Sequence, residues 1–240
     1  MIRWRDEGIL LAARRHGESG AVVQVLTREH GRHAGLLRGG GGKRRRGELQ
    51  PGNDVVVEWQ ARLAEHLGTW NLDVVRPRAA ALMADPRALA GLTAACALAE
   101  LTLPERQPQP AVHDGLHVLL EALTDMPDWP VLLVRWELGL LQALGFGLDL
   151  SRCAVTGGET DLVFVSPRSG RAVSRAGAGR YADRLLPLPA FLRGEAGAPT
   201  DRQAVREGFA LTGHFLEARL LAPEKRGLPP ARQRLLERLE

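Results

Sequence analysis

The chain has little sulfur, few aromatic rings and almost no lysine. Its two cysteines, Cys96 and Cys153, cannot build a disulfide framework. No uncharged apolar run reaches the roughly 18 residues of a membrane span. The longest, residues 88–99 and 138–148, stop far short of it. Charges stand within Met1-Ile2-Arg3-Trp4-Arg5-Asp6-Glu7, where a signal peptide needs apolar length, so a cytoplasmic protein with no leader is expected. Aromatic residues make up only 5%, which leaves Leu, Val and Ala to fill the core. Of 32 Lys+Arg only two are Lys, and Ala and Gly are abundant, as in GC-rich genomes; a pI near 9.8 is therefore weak evidence of function by itself. What remains is ordinary for a globular protein: 45% hydrophobic, 25% charged, and 240 residues, enough for one large or two modest domains.

The placement of charge says more than its amount. Residues 1–50 carry 11 Lys+Arg against 5 Asp+Glu, a net of +6 in a chain whose total is +4. The rest therefore sums to −2. Within that basic end lies Arg38-Gly39-Gly40-Gly41-Gly42-Lys43-Arg44-Arg45-Arg46-Gly47. Four consecutive cations on a glycine-rich backbone predict a loop, neither helix nor strand, that moulds itself along a polyanion. A phosphate-binding module leaves this kind of footprint, although a merely solvated basic loop has the same composition.

The first ~75 residues read as β structure. Strands are expected at residues 9–13, 21–27, 32–38, 54–62 and 69–75, with turns at His16-Gly17-Glu18-Ser19-Gly20, Glu29-His30-Gly31 and Glu65-His66-Leu67-Gly68. Val55, Val57, Trp59 and Ala61 alternate onto one face. Five short strands with such turns fit a small closed barrel of the oligonucleotide/oligosaccharide-binding (OB) type, though a flat sheet or another small barrel satisfies the same pattern. After Arg76-Pro77 the period becomes 3.6. Leu89, Leu92, Cys96, Ala99 and Leu103 share one helical face, and Val112, Leu116, Leu119, Leu120 and Leu123 another, across a proline-punctuated break at 104–110. Residues 131–144 are apolar nearly all round and predict a buried central helix. Residues 149–180 are turn-rich with strand-like pieces at 162–166 and 172–174. A long amphipathic helix is expected at 201–221 and a last one at 231–239. The fold class expected is α+β, with domains at 1–78 (barrel), 79–148 with 180–240 (helical), and 149–179 (turn-rich insertion).

Catalytic patterns fail in detail. Leu37 and Arg44 stand where a Walker loop needs Gly and Ser/Thr. Gly17-Glu18-Ser19-Gly20-Ala21 misplaces the serine of a nucleophile elbow and reads as a hairpin turn. His113 and His117 have a metal-binding spacing without the neighbouring Glu or a third ligand, so a solvated helix face is the plainer reading. Cys96 belongs to an apolar stripe. Cys153-Ala154-Val155-Thr156 offers Thr where a zinc knuckle requires its second Cys, and no Cys or His follows before Arg206. Trp59 belongs with the inward valines; Trp4 and Trp70 are ambiguous between core and base stacking. No enzyme, no cofactor and no metal are expected. The arginines are the better candidates for contact.

A set of short segments in fixed order resembles the RecO family of bacterial recombination mediators, nearly end to end. They are Asp6-Glu7-Gly8-Ile9-Leu10-Leu11, Gly17-Glu18-Ser19, Leu26-Thr27-Arg28-Glu29-His30-Gly31-Arg32, Gly35, Arg38-Gly39 and Leu49-Gln50-Pro51-Gly52. Further on come Leu140-Leu141-Gln142-Ala143-Leu144-Gly145-Phe146, Leu148-Asp149-Leu150 with Cys153, and Val165-Ser166-Pro167 with Gly170. The resemblance implies an N-terminal OB-fold barrel, a helical domain, and a zinc-finger-like insertion that holds metal only in some members. This chain lacks three of the four cysteines of those members, and its insertion is expected to be metal-free. Also implied are binding of single- and double-stranded DNA and annealing of complementary strands. With a RecR-type partner, such proteins load RecA onto strands coated by single-strand-binding protein (SSB), in the cytoplasm at the nucleoid and with no membrane.

The DNA contacts expected are Arg14, Arg15, Arg28, Arg32, Arg38, Lys43, Arg44, Arg45 and Arg46, which neutralise phosphates, release counterions and carry no sequence code. Arg135 is a weaker candidate for the C-terminal tail of SSB, with an internal salt bridge as its plainer role. An RNA-binding or ribosome-associated OB protein fits the same barrel and charge; an enzyme acting on nucleotides has only the failed Walker-like loop behind it.

Overall fold

The computed structural model describes residues 1–194, 198 and 200–239; the side chains of Lys43, Arg44 and Arg46 lie outside the described part. The fold is α+β, with a five-stranded N-terminal sheet and a helical C-terminal part. β1 (Ile2–His16), β2 (Gly20–Thr27), β3 (Gly31–Leu37), β4 (Asp54–Ala61) and β5 (Thr69–Arg76) close on themselves in the order β1-β2-β3-β5-β4, with β4 returning to β1. Every contact is antiparallel except the short parallel one of β3 with β5, at Leu36–Thr69 and Leu37–Trp70.

β1 begins at Ile2, seven residues before the strand expected from sequence. One long strand serves two neighbours: its first half pairs with β4 from Ile2–Ala61 to Ile9–Asp54, its second with β2 from Gly8–Thr27 to His16–Gly20. Ahead of Ile9, Trp4 is the only large apolar residue turned away from solvent, too little for period-2 reasoning to register. The alternation of β4 holds as expected, with Val55, Val57, Trp59 and Ala61 all buried in the barrel core beside Leu10, Val23 and Leu72.

Between β3 and β4 lies α1 (Lys43–Glu48), where sequence reasoning expected loop. The glycines stop at Gly42, and the four cations that follow have ordinary helix propensity. Arg45 pairs with Glu48 one turn on, at 2.9 Å, and its other amino group donates to the Leu72 carbonyl of β5. The short helix is thus fastened to the barrel wall.

After the barrel come α2 (Arg78–Ala81), α3 (Pro86–Thr102), α4 (Pro110–Asp125) and α5 (Trp129–Ala143), then β6 (Leu162–Val165), β7 (Ala172–Ser174), α6 (Arg175–Ala178), β8 (Leu186–Pro187), α7 (Arg202–Phe215) and α8 (Pro230–Leu239). The chain divides into two compact units, one of Met1–Met126 with Pro229–Arg238 and one of Pro127–Leu228.

In the first unit, Asp85 caps α3 by accepting from the amides of Arg87 and Ala88, and Pro86 opens the helix. Leu92, Cys96, Ala99 and Leu103 are buried, as their spacing predicts. Burial pushes the Cys96 thiol up to about 12, leaving it an inert core residue. Gly52, at φ +84°, sits where a Cβ would meet the Leu92 side chain at 2.5 Å, so helix and barrel touch through a residue that has none. Arg78, 4% exposed, donates to Asp54 of β4 and Glu121 of α4 and ties three elements together.

In the second unit α5 packs on α7, and Gly208 leaves room for Val134 and Phe191. The expected central helix is buried along most of its surface, but Arg135 and Gly139 face outward. The buried carboxylate of Glu137 accepts from Thr212 Oγ1 at 2.5 Å. The helix expected to run on to 221 is regular only as far as Phe215; Leu216–Leu221 continue it as a wider π-turn. Residues 162–187 form a small sheet in the order β7-β6-β8. Among the described residues no helix is long and apolar enough to cross a membrane.

Candidate nucleic-acid interface

Arg14 and Arg15 close β1, opposite Val22 and Ala21 of β2, and Ala21 in turn pairs with Leu37. The chain leaving β3 therefore delivers Arg38 and residues 39–42 to the same end of the barrel. That segment is not the pliant arm expected from its glycines. Gly41 donates to the Ser19 carbonyl of the β1–β2 turn at 2.9 Å, and a Cβ on Gly40 would lie 2.9 Å from that of Ala21. Here the glycines permit backbone to lie on backbone, and Gly39 makes the turn at φ +72°.

Around this docked turn the cations differ. Arg38 is exposed, with no carboxylate partner among the described side chains. Arg15 spans its own turn, donating to the carbonyls of Gly17 and Glu18 at 3.3 and 3.2 Å. Arg14 meets Glu100 at 2.5 Å while staying two-thirds exposed. Arg45 is committed inward, as described above. The backbones of Lys43, Arg44 and Arg46 lie in α1; their side chains fall outside the described part. Arg14, Arg15, Gly40, Gly41 and Gln50 border a groove of about 330 Å³ beside the turn.

Arg28 and Arg32 stand at the other end of the same ladder, about 20 Å away at ~3.3 Å per residue along β2. Arg28 holds Asp114 of α4 at 3.1 Å and Glu29 at 3.2 Å. Its hydrogen bond holds the Asp114 carboxyl below the usual carboxylate range. Arg32 donates to the Leu103 carbonyl at 2.8 Å and to Gln24 at 3.1 Å. The predicted set is thus brought together only in part: Arg14, Arg15, Arg38 and α1 at one end, Arg28 and Arg32 at the other.

The second end is closed by rings. Trp4, Trp59 and Trp70 are cross-strand neighbours on β1, β4 and β5. Trp4 stacks on His30 at 3.8 Å, Trp59 Nε1 donates to the Leu67 carbonyl, and Trp70 Nε1 donates to the Val23 carbonyl. The two ambiguous tryptophans are therefore occupied with the core and with each other. His33 stands edge-on to all three with neither ring nitrogen hydrogen-bonded. Burial, then the charges of Arg106 and His30, push its pKa down to about 4, so the ring is neutral near pH 7. Arg106, at φ +61°, reaches over Trp59 and donates to the carbonyls of Ala64 and His66. Sequence reasoning missed both residues. His33 was findable, since alternation in Arg32-His33-Ala34 turns it inward; nothing in the sequence announces a left-handed arginine.

In the second unit Arg135 donates to the Phe191 carbonyl at 3.0 Å, so its internal partner is a backbone oxygen and not a carboxylate. Cys153 Sγ accepts from the amides of Val155, Thr156 and Ser174 and from Ser174 Oγ, at 3.2–3.4 Å. Burial raises this thiol, but the donors of Ser174 and Thr156 outweigh it and bring it to about 6. Those residues do not fit zinc: one sulfur is ringed by donors, and among the described residues no second ligand stands beside it. His113 and His117 each turn to a carboxylate, Asp114 at 3.0 Å and Glu121 at 4.0 Å. Among the described residues no three His, Cys, Asp or Glu are placed to share a metal.

A closed barrel with cations gathered at one end, followed by helices and a small sheet, defines an α+β protein whose concentrated charge is positive. Two family models match it: Recombination protein O N terminal over residues 1–78 and Recombination protein O C terminal over residues 83–227. A DNA repair protein RecO of Rhodospirillum rubrum is 53% identical over 244 residues, covering 100% of this chain and 97% of that protein. Another from Cereibacter sphaeroides is 52% identical over 241 residues, covering 100% and 99%, and one from a Ruegeria species is 50% identical over 237 residues, covering 98% of each. The chain belongs to the recombination protein O family.

Proposed function

We propose that this protein binds single- and double-stranded DNA through the basic end of its barrel, anneals complementary strands, and helps load RecA onto strands coated by SSB. The observation that carries the reading is the exposed group of Arg14, Arg15 and Arg38 around the turn at 39–42, with the basic helix α1 beside it. Cations on one closed barrel end lower the mutual repulsion of two strands held there and displace their counterions. The cyclic strand order with one parallel contact supports an OB-type barrel, and the match over residues 1–78 supports a domain boundary there. A second domain at 79–148 with 180–240, and an insertion at 149–179, complete the proposed division. Family membership supports a RecR-type protein and the SSB tail as partners, RecA indirectly, the bacterial nucleoid as the setting, and a mediator without catalysis.

Arg28 and Arg32 are the weakest members of the contact set, because both already serve internal partners. Arg135 retains an exposed position from which to meet an acidic tail while donating to Phe191. The deciding experiment is annealing of SSB-coated complementary strands by the wild type and by an Arg15→Glu, Arg38→Glu variant. Annealing should drop at least tenfold with thermal stability unchanged. Undiminished annealing at about 150 mM salt overturns the reading. A strong preference for RNA over matched single-stranded DNA in competition favours the RNA-binding alternative.

A further inference from the structure

We infer that the second unit carries its own binding surface for unpaired nucleic acid, built on Tyr181 and the arginines around it. The inference rests on the nucleic-acid reading above and extends it to a region that reading does not use. Tyr181 is the only tyrosine of the chain and is 50% exposed. It lies in the 3-10 turn Gly179–Arg184, which follows α6 directly. The Arg180 guanidinium stands 5.1 Å from the ring centroid and donates to its hydroxyl at 3.0 Å; that of Arg184 stands 6.0 Å from the centroid. Two guanidiniums thus fix the orientation of an exposed ring that has no place in the core.

The surrounding charge is one-sided. Residues 168–184 contain five arginines and a single acid, Asp183. Arg171 and Arg175 each lie beside one carboxylate, Asp149 at 3.5 Å and Asp161 at 3.6 Å, with half to two-thirds of the side chain in solvent. Arg180 and Arg184 have no carboxylate partner among the described residues. Such cations repel one another unless an anion lies between them.

The chemistry selects the occupant. Phosphates suit the arginines, and an exposed ring flanked by guanidiniums offers a face on which a base can stack once it is free of its complement. An apolar-acidic peptide would want a hydrophobic recess, and the exposed turn offers a ring and charges instead. Annealing gives the surface a use: a protein that pairs two strands benefits from a second place to hold an unpaired one.

The test uses the full-length protein and a single-stranded oligonucleotide carrying 5-iododeoxyuridine, which photocrosslinks to aromatic rings it stacks on. A crosslink mapped to Tyr181, and a loss of single-strand affinity of about 5- to 100-fold in Tyr181→Ala, with Tyr181→Phe near wild type and duplex affinity unchanged, supports the inference. Crosslinks confined to residues 1–50, with Tyr181→Ala binding normally, overturn it while leaving the barrel reading intact. No binding of the oligonucleotide by the wild type overturns both. If Tyr181→Ala weakens binding of an acidic peptide but not of the oligonucleotide, the surface belongs to a protein partner and the inference fails.

Discussion

The two ends of the barrel hold the same residue type in opposite settings. At the β1–β2 end, Arg14, Arg15 and Arg38 keep their guanidiniums in solvent and touch little beyond two turn carbonyls and the largely buried carboxylate of Glu100. At the β2–β3 end and along α2, Arg32, Arg78 and Arg106 thread between elements and donate to Leu103, Asp54, Glu121, Ala64 and His66. An arginine is a binding group or a building part according to what surrounds it, and composition does not distinguish the two. The basic N-terminal fifty residues contain both exposed arginines and arginines committed to internal partners.

The contrast can be broken most forcefully by charge reversal at each end. Arg14→Gln, Arg15→Glu and Arg38→Glu together should lower DNA affinity by about 30-fold at 150 mM salt with little change in melting temperature. Arg28→Glu with Arg32→Glu should do the reverse, lowering the melting temperature while the folded fraction binds nearly normally. Equal loss of affinity from both sets, measured by fluorescence anisotropy, would remove the distinction.

Arg78→Met comes next. It leaves Asp54 and Glu121 facing each other without their shared cation, and should cost about 2–3 kcal/mol in urea unfolding, less than for a wholly buried pair because Glu121 is partly exposed. A change under about 0.5 kcal/mol would show the network to be ornamental. The hydrogen bond from Arg78, joined by that of Arg76, holds the Glu121 carboxyl down to about 2. The stability it provides is present above the ordinary carboxylate range and lost as pH falls toward that value.

His33 sharpens the comparison through pH. Its folded pKa near 4 lies below the ordinary 6.5, so the folded state resists taking up the proton that the unfolded chain accepts. Stability is therefore full above about pH 6.5 and falls by up to about 1.4 kcal/mol per unit between there and about pH 4. The melting temperature of His33→Phe should gain on the wild type between pH 7.5 and 5; parallel profiles would contradict a neutral buried ring. The smallest effect belongs to Arg38→Ala, which should reduce the slope of log affinity against log salt by about one. An unchanged slope would remove Arg38 from the contact surface.

Much of this architecture was legible in the sequence, and the gaps have physical causes. The inward row of β4 and the buried stripe of α3 follow from periodicity, because one face of each meets the core and the other does not. The start of β1 escaped because a single tryptophan among charged neighbours leaves no pattern to count. α1 escaped because the glycine-rich stretch ahead of it suggested continued loop, whereas its anchor is a carbonyl on β5, distant in sequence. The site was half legible: clustering along the chain gave the cations, but only the strand register shows Arg28 and Arg32 arriving some six residues down the ladder from Arg15. Periodicity locates faces; it does not report what a long side chain finds when it gets there.

The packing of residues 39–42 against the β1–β2 turn bears on the rhythm of binding. A segment already settled by Gly41 and Ser19 gives up its freedom once, when the chain folds, and not again at each encounter. If DNA docks here as proposed, these residues need no further ordering of the backbone to receive it. On the proposed reading, such a surface suits strands that are gripped and let go in quick succession.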